Sequence, residues 1–376
     1  MIEKKIALIG LGNAGGNVVK LYGQMYPGTA DRIVINTSET DMSKFSTSDY
    51  EYSIRMGELD GTGGNHDVAK TVAMNLMREK VVDDPRFIEL LAGKEYVFVI
   101  GSTAGGTGSG MLPVVYQVIS KVLRVADKVI AVCILPENGL TVDRLDNTLL
   151  NQSELYSDPD ATYMVYDNSR FSEVSSFELR EKVNKEIVDD IAVFTGIDLL
   201  QSDYNNIDAE DMMSLMSLPG RIVIVRCNTN RQINHNDIEA RILYDLDHRT
   251  AHAILNEDKI VGSYGLIANL SKTDIEGLNE TLPVIRERIG EPISTFMNLS
   301  DQETGSKVIF IMSGLAKPAA RLFELSELLA AKKEKIKVDD TAFTYRDQQL
   351  TARRRPRINP TTESETTLDD IFNGLK

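Results

Sequence analysis

At 376 residues, with 42% hydrophobic and 26% charged side chains, the chain has enough apolar material for two domains that each bury a core. No apolar run reaches the ~18 residues that span a bilayer. The opening Met1-Ile-Glu-Lys-Lys-Ile-Ala leaves no room for a secretory leader, so a cytoplasmic protein is expected. The net charge of −15 sits in the body: from Ala331 onward there are 10 Lys/Arg against 8 Asp/Glu, which leaves −17 for the rest. A body this acidic repels phosphate backbones, which argues against direct nucleic-acid binding by the globular part. Cys133 and Cys227 both fall in apolar runs and read as buried thiols of a reducing compartment.

In chain order, Ile6–Gly10, Arg32–Asn36, Glu95–Gly101, Lys128–Leu135 and Ala161–Asp167 are predicted strands, rich in Val, Ile and Tyr. Their near-continuous hydrophobicity suits strands covered on both faces, hence a mostly parallel α/β sheet. Helical patterns lie between them at Asn13–Met25, Asp67–Arg78 and Gly110–Ala126. Over Ser176–Phe194 the residues Phe177, Val183, Ile187, Ile191 and Phe194 recur near helical spacing and predict a long central helix. After Asn206, the runs Gly220–Cys227, Lys259–Leu270 and Lys307–Met312 read as strands of a second, smaller sheet with helices between. Pro318–Lys337 is a final helix, Lys-rich toward its C-terminus as its dipole favours. The expected organisation is a nucleotide domain over residues 1–175, the central helix over 176–206, a smaller α/β domain over 207–337 and a disordered tail over 338–376. The tail carries Arg353-Arg-Arg-Pro-Arg357 and ends in the small apolar cluster of Leu368–Leu375.

Two glycine-rich loops carry the chemistry. Gly10-Leu-Gly12-Asn13-Ala14-Gly15-Gly16-Asn17 leaves a strand and enters a helix. Its glycines let backbone N–H groups approach an anion, and the helix N-terminus adds partial positive charge. Alone it also fits the G-x-G-x-x-G fingerprint of a Rossmann-like dinucleotide fold, which leaves an NAD-dependent oxidoreductase open. The second loop, Gly101 to Gly110, again lies between a strand and a helix. Two such cradles suit a polyphosphate gripped from two sides. Neither holds the lysine of a P-loop, so neutralisation falls to backbone amides, hydroxyls such as Thr107 and Ser109, and Mg²⁺. A third loop, Gly61-Thr-Gly63-Gly64-Asn65, leads into a helix for which Asp67 is the expected N-cap; beside the other two it reads as a γ-phosphate contact.

The segment Ala104-Gly105-Gly106-Thr107-Gly108-Ser109-Gly110 resembles the G-G-G-T-G-[ST]-G signature of the tubulin/FtsZ superfamily. Gly10–Asn17 is similar to that family's first phosphate loop, and Asn36 to its short loop after the second strand. The resemblance implies a GTPase that binds GTP/GDP with Mg²⁺, with Gly12, Asn13, Ala14, Gly15, Gly16, Asn17, Asn36, Gly63, Gly64 and Asn65 around the phosphates. It implies sugar contact at Arg144, although no Phe follows Pro136, and guanine recognition by Asn168 and Asn184. An Asn amide supplies the donor and acceptor that the guanine edge requires. Asn205-Asn206-Ile-Asp208-Ala-Glu-Asp211 resembles the family's catalytic loop, which completes the nucleotide pocket of the next subunit. Asp208 and Asp211 are then the residues that position water, with Asn206 orienting the loop. Without the glycine loops, the same stretch reads as a solvated acidic loop that caps the next helix.

The same resemblance implies a head-to-tail protofilament of the chain with itself and a tail that holds an adaptor or anchor protein. Ile35–Met42 and Leu135–Gly139 look more like the TubZ branch, which segregates plasmid or phage DNA, than like division FtsZ; a cell-division role is the alternative. His248 and His252, at i and i+4, lack the Glu and third ligand of a zinc protease. They are expected on a solvated helix face, and no protein metal site is assigned.

Overall fold

The computed structural model describes residues 4–58, 60–170, 176–196, 206–228, 244, 250–253, 262–269, 272–300 and 307–343. The tail motifs Arg353–Arg357 and Leu368–Leu375, His248, Asn205 and the Cys227 side chain lie outside them.

Hydrophobic alternation along the first strand sets the layering. In β1 (Ile6–Leu11), Ile6 and Leu8 enter the core on one face, while Ala7, Ile9 and Leu11 enter the core on the other. The same two-sided burial runs through β2 (Ala30–Asn36), β4 (Lys94–Ser102), β5 (Ala126–Leu135) and β6 (Thr162–Asp167). One face is covered by α1 (Gly12–Met25) and α7 (Ser176–Val193), the other by α3 (His66–Met77), α4 (Pro85–Leu91) and α5 (Gly106–Gln117). Short α2 (Glu39–Met42) follows β2, and short β3 (Tyr52–Arg55) edges the sheet. The expected parallel α/β architecture is therefore present.

The second sheet expected after Asn206 is not separate. β7 (Gly220–Asn228) pairs in parallel with β6, from Thr162 opposite Gly220 to Met164 opposite Ile222. β10 (Lys307–Leu315) then pairs antiparallel with β7 and with β8 (Tyr264–Asn269), and β9 (Thr295–Ser300) closes the order β3-β2-β1-β4-β5-β6-β7-β10-β8-β9. The edge of β6 would otherwise bury unpaired backbone groups, and the apolar β7 satisfies them. The C-terminal strands still own a core: Val223, Val225, Leu266 and Phe310 pack against Leu278 and Ile285 of α9 (Lys272–Ile289).

One helix, α6 (Val142–Tyr156), sits where no apolar periodicity marks it and packs on α5. The expected final helix is present as α10 (Ala319–Phe343), which lays Leu325 and Leu329 against Leu145 of α6. The N-cap of α3 lies two residues earlier than expected: it is Asn65, whose side chain accepts from Val68 N at 3.1 Å, and Asp67 falls inside the first turn. Cys133 is free and buried, and burial pushes its thiol up to about 12.

Candidate nucleotide site

Both glycine loops open at the carboxyl ends of β1 and β4, which are neighbours in the sheet; β2 follows on one side of this pair and β5 on the other. The chain order reverses here, and open α/β sheets bind ligands at such a crevice. α1 begins after Leu11 and α5 after Gly105, and neither residue supplies a side-chain cap. The first N–H groups of two helices therefore face one cleft without side-chain acceptors, a pair of ready anion sites. Gly12 holds φ +65° against Thr107, a conformation that disfavours any side chain. A Cβ on Gly106 would lie 2.0 Å from Thr62 Oγ1 and 2.8 Å from Asn65 N, so the third loop and the signature loop touch backbone to backbone.

The cleft encloses about 1010 Å³. Of the residues expected at the phosphates, Gly12, Asn13, Ala14, Asn17, Gly63, Gly64, Ala104, Gly105, Gly106, Thr107 and Gly108 line it. Arg144, Asn168 and Asn184 line it too, so the expected sugar and base residues share the same space. Asn168 Oδ1 is buried without a hydrogen-bond partner and borders the cleft. A buried acceptor of this kind costs about 1–3 kcal/mol until a donor meets it. Five expected residues do not line the cleft. Gly15 and Gly16 turn toward Ile100 and Phe45, Ser109 is buried with its hydroxyl on Gly106 O at 3.1 Å, and Asn65 caps α3. Asn36 is buried behind the loop, where its Oδ1 accepts from Ser38 N at 3.2 Å.

Several cleft residues escaped the motif reading. Lys20 lies one helical turn beyond Asn17, where an i+3 projection from the loop finds it. Lys185, next to Asn184, and Arg180, which pairs with Glu137 at 2.8 Å, complete a basic side. Opposite the glycines, Asp60 accepts from Ser38 Oγ at 2.8 Å and Thr40 Oγ1 at 2.7 Å. The Thr40 and Ser38 hydroxyls and the Thr40 N–H hold its carboxyl down at about 2. Thr37 and Thr107 hydroxyls meet at 2.7 Å between the loops.

The acidic loop is elsewhere. Asp208 is the N-cap of α8 (Ala209–Leu215), accepting from Asp211 N at 2.8 Å while Asp211 Oδ2 accepts from Asp208 N at 3.3 Å. This reciprocal capping box is the helix-capping reading of the stretch. Asp208 and Asn206 are exposed, and none of the three residues expected in catalysis lines the cleft. Their position follows from the register. α8 leads into Gly220, opposite the first residue of β6, and Leu215 O accepts from Ser313 Oγ. α7 runs the same way: Asn184 lines the cleft, whereas Phe194, just past its end, packs on Tyr96 near the start of β4 at 4.9 Å. An 18-residue helix covers about 27 Å. Cleft and acidic loop thus occupy opposite ends of the parallel strands.

His252 overturns the expectation of a solvated helix face. It bridges to Tyr166, is fully buried, and stacks on that ring at 4.3 Å. Its Nε2 accepts from Ile224 N at 3.2 Å and lies 3.1 Å from Asp190 Oδ2. Glu186, Asp190 and His252 offer ligand atoms within 4.8 Å of one another. However, Arg226 Nε occupies Asp190 Oδ1 at 2.9 Å and Thr250 Oγ1 occupies Glu186 Oε1 at 2.8 Å, so both carboxylates already hold protein donors and the cluster joins α7 to β7, with His252 Nδ1 buried and unbonded. Burial first, and the Asp190 charge next, push the Glu186 carboxyl up to about 8.

Paired uncapped helices at a topological switch point, a lysine-free glycine cradle and Asn amides beyond it define a nucleotide-binding protein outside the P-loop class. Residues 5–176 match the model of the Tubulin/FtsZ family, GTPase domain. Over those residues the chain is similar to the GTPase domain of the Tubulin/FtsZ family rather than to a dinucleotide oxidoreductase. The "Cell division protein FtsZ 1" of Thermococcus kodakarensis is 25% identical over 354 residues, covering 90% of this chain and 88% of that protein. CetZ from Methanosaeta thermophila is 19% identical and superposes with a TM-score of 0.69, covering 90% of this chain and 95% of its own. TubZ of Bacillus thuringiensis serovar israelensis, solved as a GTPγS-form protofilament, is 18% identical with a TM-score of 0.69, covering 90% and 94%. No helix among the described residues is long and apolar enough to cross a membrane.

Proposed function

We propose that the chain assembles head to tail into GTP-dependent filaments and hydrolyses GTP where the acidic loop of one subunit meets the cleft of the next. The observation that carries this reading is the placement of cleft and acidic loop at opposite ends of the parallel strands, which keeps Asp208 and Asp211 away from their own subunit's nucleotide. In such a contact the α1 and α5 N–H groups bind the phosphates, and Gly63 and Gly64 close on the γ-phosphate. Asn168 and Asn184 read guanine, and Arg144 reaches the sugar. Asp208 and Asp211 orient and polarise water for in-line attack, with Asn206 shaping the loop. The hard oxygens of Thr107, Asp41 and Asp60 beside the phosphate loops fit Mg²⁺, which when bound offsets charge on the β- and γ-phosphates.

The finer role we favour is segregation or positioning of plasmid or phage DNA, with the tail recruiting a DNA-binding adaptor. The likeness to TubZ and the sequence around Ile35–Met42 support it. The 25% identity to an FtsZ supports cell division as the second reading. Sedimentation and electron microscopy test the assembly itself. Pelletable filaments are expected with GTP and Mg²⁺ and their loss with GDP; protein that stays soluble with GTP across the micromolar range contradicts the proposal.

A further inference from the structure

α6 carries a polar face in a place that normally demands an apolar one. Asn147, Thr148, Asn151 and Gln152 are all buried, yet the helix packs against α5. Buried amides are costly unless bonded, so their partners define what the helix does. Asn151 Nδ2 donates to Ser109 O at 2.8 Å, and Gln152 Nε2 braces Asn151 Oδ1 at 3.0 Å. Thr148 Oγ1 lies 3.3 Å from Thr103 Oγ1 and donates to Arg144 O at 3.0 Å. Asn147, one turn before Asn151 on the same face, is different. Its Nδ2 donates to Gly64 O at 2.7 Å and reaches Ala104 O at 3.3 Å. One amide thus holds the third loop and the signature loop to each other from behind.

The third loop needs such a tie. Gly61, Gly63 and Gly64 all sit at positive φ, and no neighbouring atom lies within 4 Å of where a Cβ on Gly63 or Gly64 would be. Backbone bonds hold only the two ends of the loop, Gly61 N donating to Thr37 O at 3.3 Å and Asn65 N to Thr62 O at 3.1 Å. The Asn147 amide adds a donor to the Gly64 carbonyl, so the Gly64–Asn65 peptide plane is held from both sides.

We propose that Asn147 is a positioning residue that sets the third loop against the signature loop, and so governs discrimination between a nucleoside triphosphate and a diphosphate rather than nucleotide binding as a whole. The inference rests on reading Gly61–Asn65 as the γ-phosphate contact. It gives α6 a role that none of the glycine motifs contains.

The test measures dissociation constants for GTPγS and for GDP on the full chain at concentrations below assembly. Asn147→Ala, and the isosteric Asn147→Asp that removes the N–H donor, should weaken GTPγS about 2–12-fold, the worth of one hydrogen bond. GDP affinity should stay within about twofold, and that also reports that the site remains folded. Equal loss of both ligands in both variants overturns the proposal and makes Asn147 a structural residue. Gly63→Ala, strained at φ +61°, separates the underlying reading. A changed GTPγS/GDP ratio in Gly63→Ala with none in the Asn147 variants overturns the inference alone. An unchanged ratio in all three overturns the γ-phosphate reading as well.

Discussion

At the carboxyl end of the sheet, α1 and α5 begin on Leu11 and Gly105 and leave their first N–H groups without side-chain caps. At the amino end, α8 begins on Asp208 and Asp211, which satisfy each other's backbone N–H groups. Loss of a cap costs about 0.5–2 kcal/mol, so two uncapped helices facing one cleft are a standing deficit that an anion relieves. The capping box carries no deficit; its carboxylates are held by backbone N–H groups, and neither residue lines the chain's own cleft. One pole leaves donors open to an anion, and the other satisfies its own.

That contrast is broken most severely at Asp208. Asp208→Ala should lower the rate of phosphate release about 10²–10⁴-fold while GTP affinity stays within twofold. Loss of GTP affinity in this variant places the acidic loop in the wrong role. Next is the tie between the C-terminal helix and the cleft. Arg321 Nε pairs with Asp167 Oδ2 at 2.8 Å, and both side chains are buried. Arg321→Ala strands the carboxylate beside Asn168 and should cost about 3–5 kcal/mol in urea unfolding. A change below 1 kcal/mol denies that the pair is desolvated.

At the cleft, Gly106→Ala forces the signature loop off Thr62 and Asn65 and should weaken GTP binding about 10-fold or more, read by equilibrium titration. The smallest effect concerns α7, which joins the poles. Folded Glu186 keeps its proton up to about pH 8, whereas an unfolded Glu releases it near 4.3. The unfolded state is therefore progressively favoured as pH rises from about 5 to about 8. Glu186→Gln should flatten that decline in denaturation midpoints; identical pH profiles for the two proteins refute a buried proton on Glu186.

The glycine loops, the strands that deliver them and the long helix were legible because each depends on local chemistry: positive φ, strand-to-helix junctions, helical periodicity. α6 was not, because its buried face is made of Asn147, Thr148, Asn151 and Gln152, and a polar face gives no apolar period. The continuity of the sheet was hidden because the β6–β7 pairing joins residues far apart in sequence, and nothing in either strand names its partner. The burial of His252 is hidden for the same reason. Its burial is decided by Asp190, 62 residues away, and by the ring of Tyr166. Asp208 and Asp211 could be read as cap or catalyst from sequence, and in the isolated chain they cap.

On the proposed function, the two poles form one catalytic site only between molecules. Specific GTPase activity, measured as phosphate released per subunit across a hundredfold dilution in GTP and Mg²⁺, tests it most directly. Near-zero specific activity is expected at low concentration, with a steep rise above a threshold that coincides with the appearance of pelletable filaments. A specific activity that stays constant across the whole dilution series contradicts it.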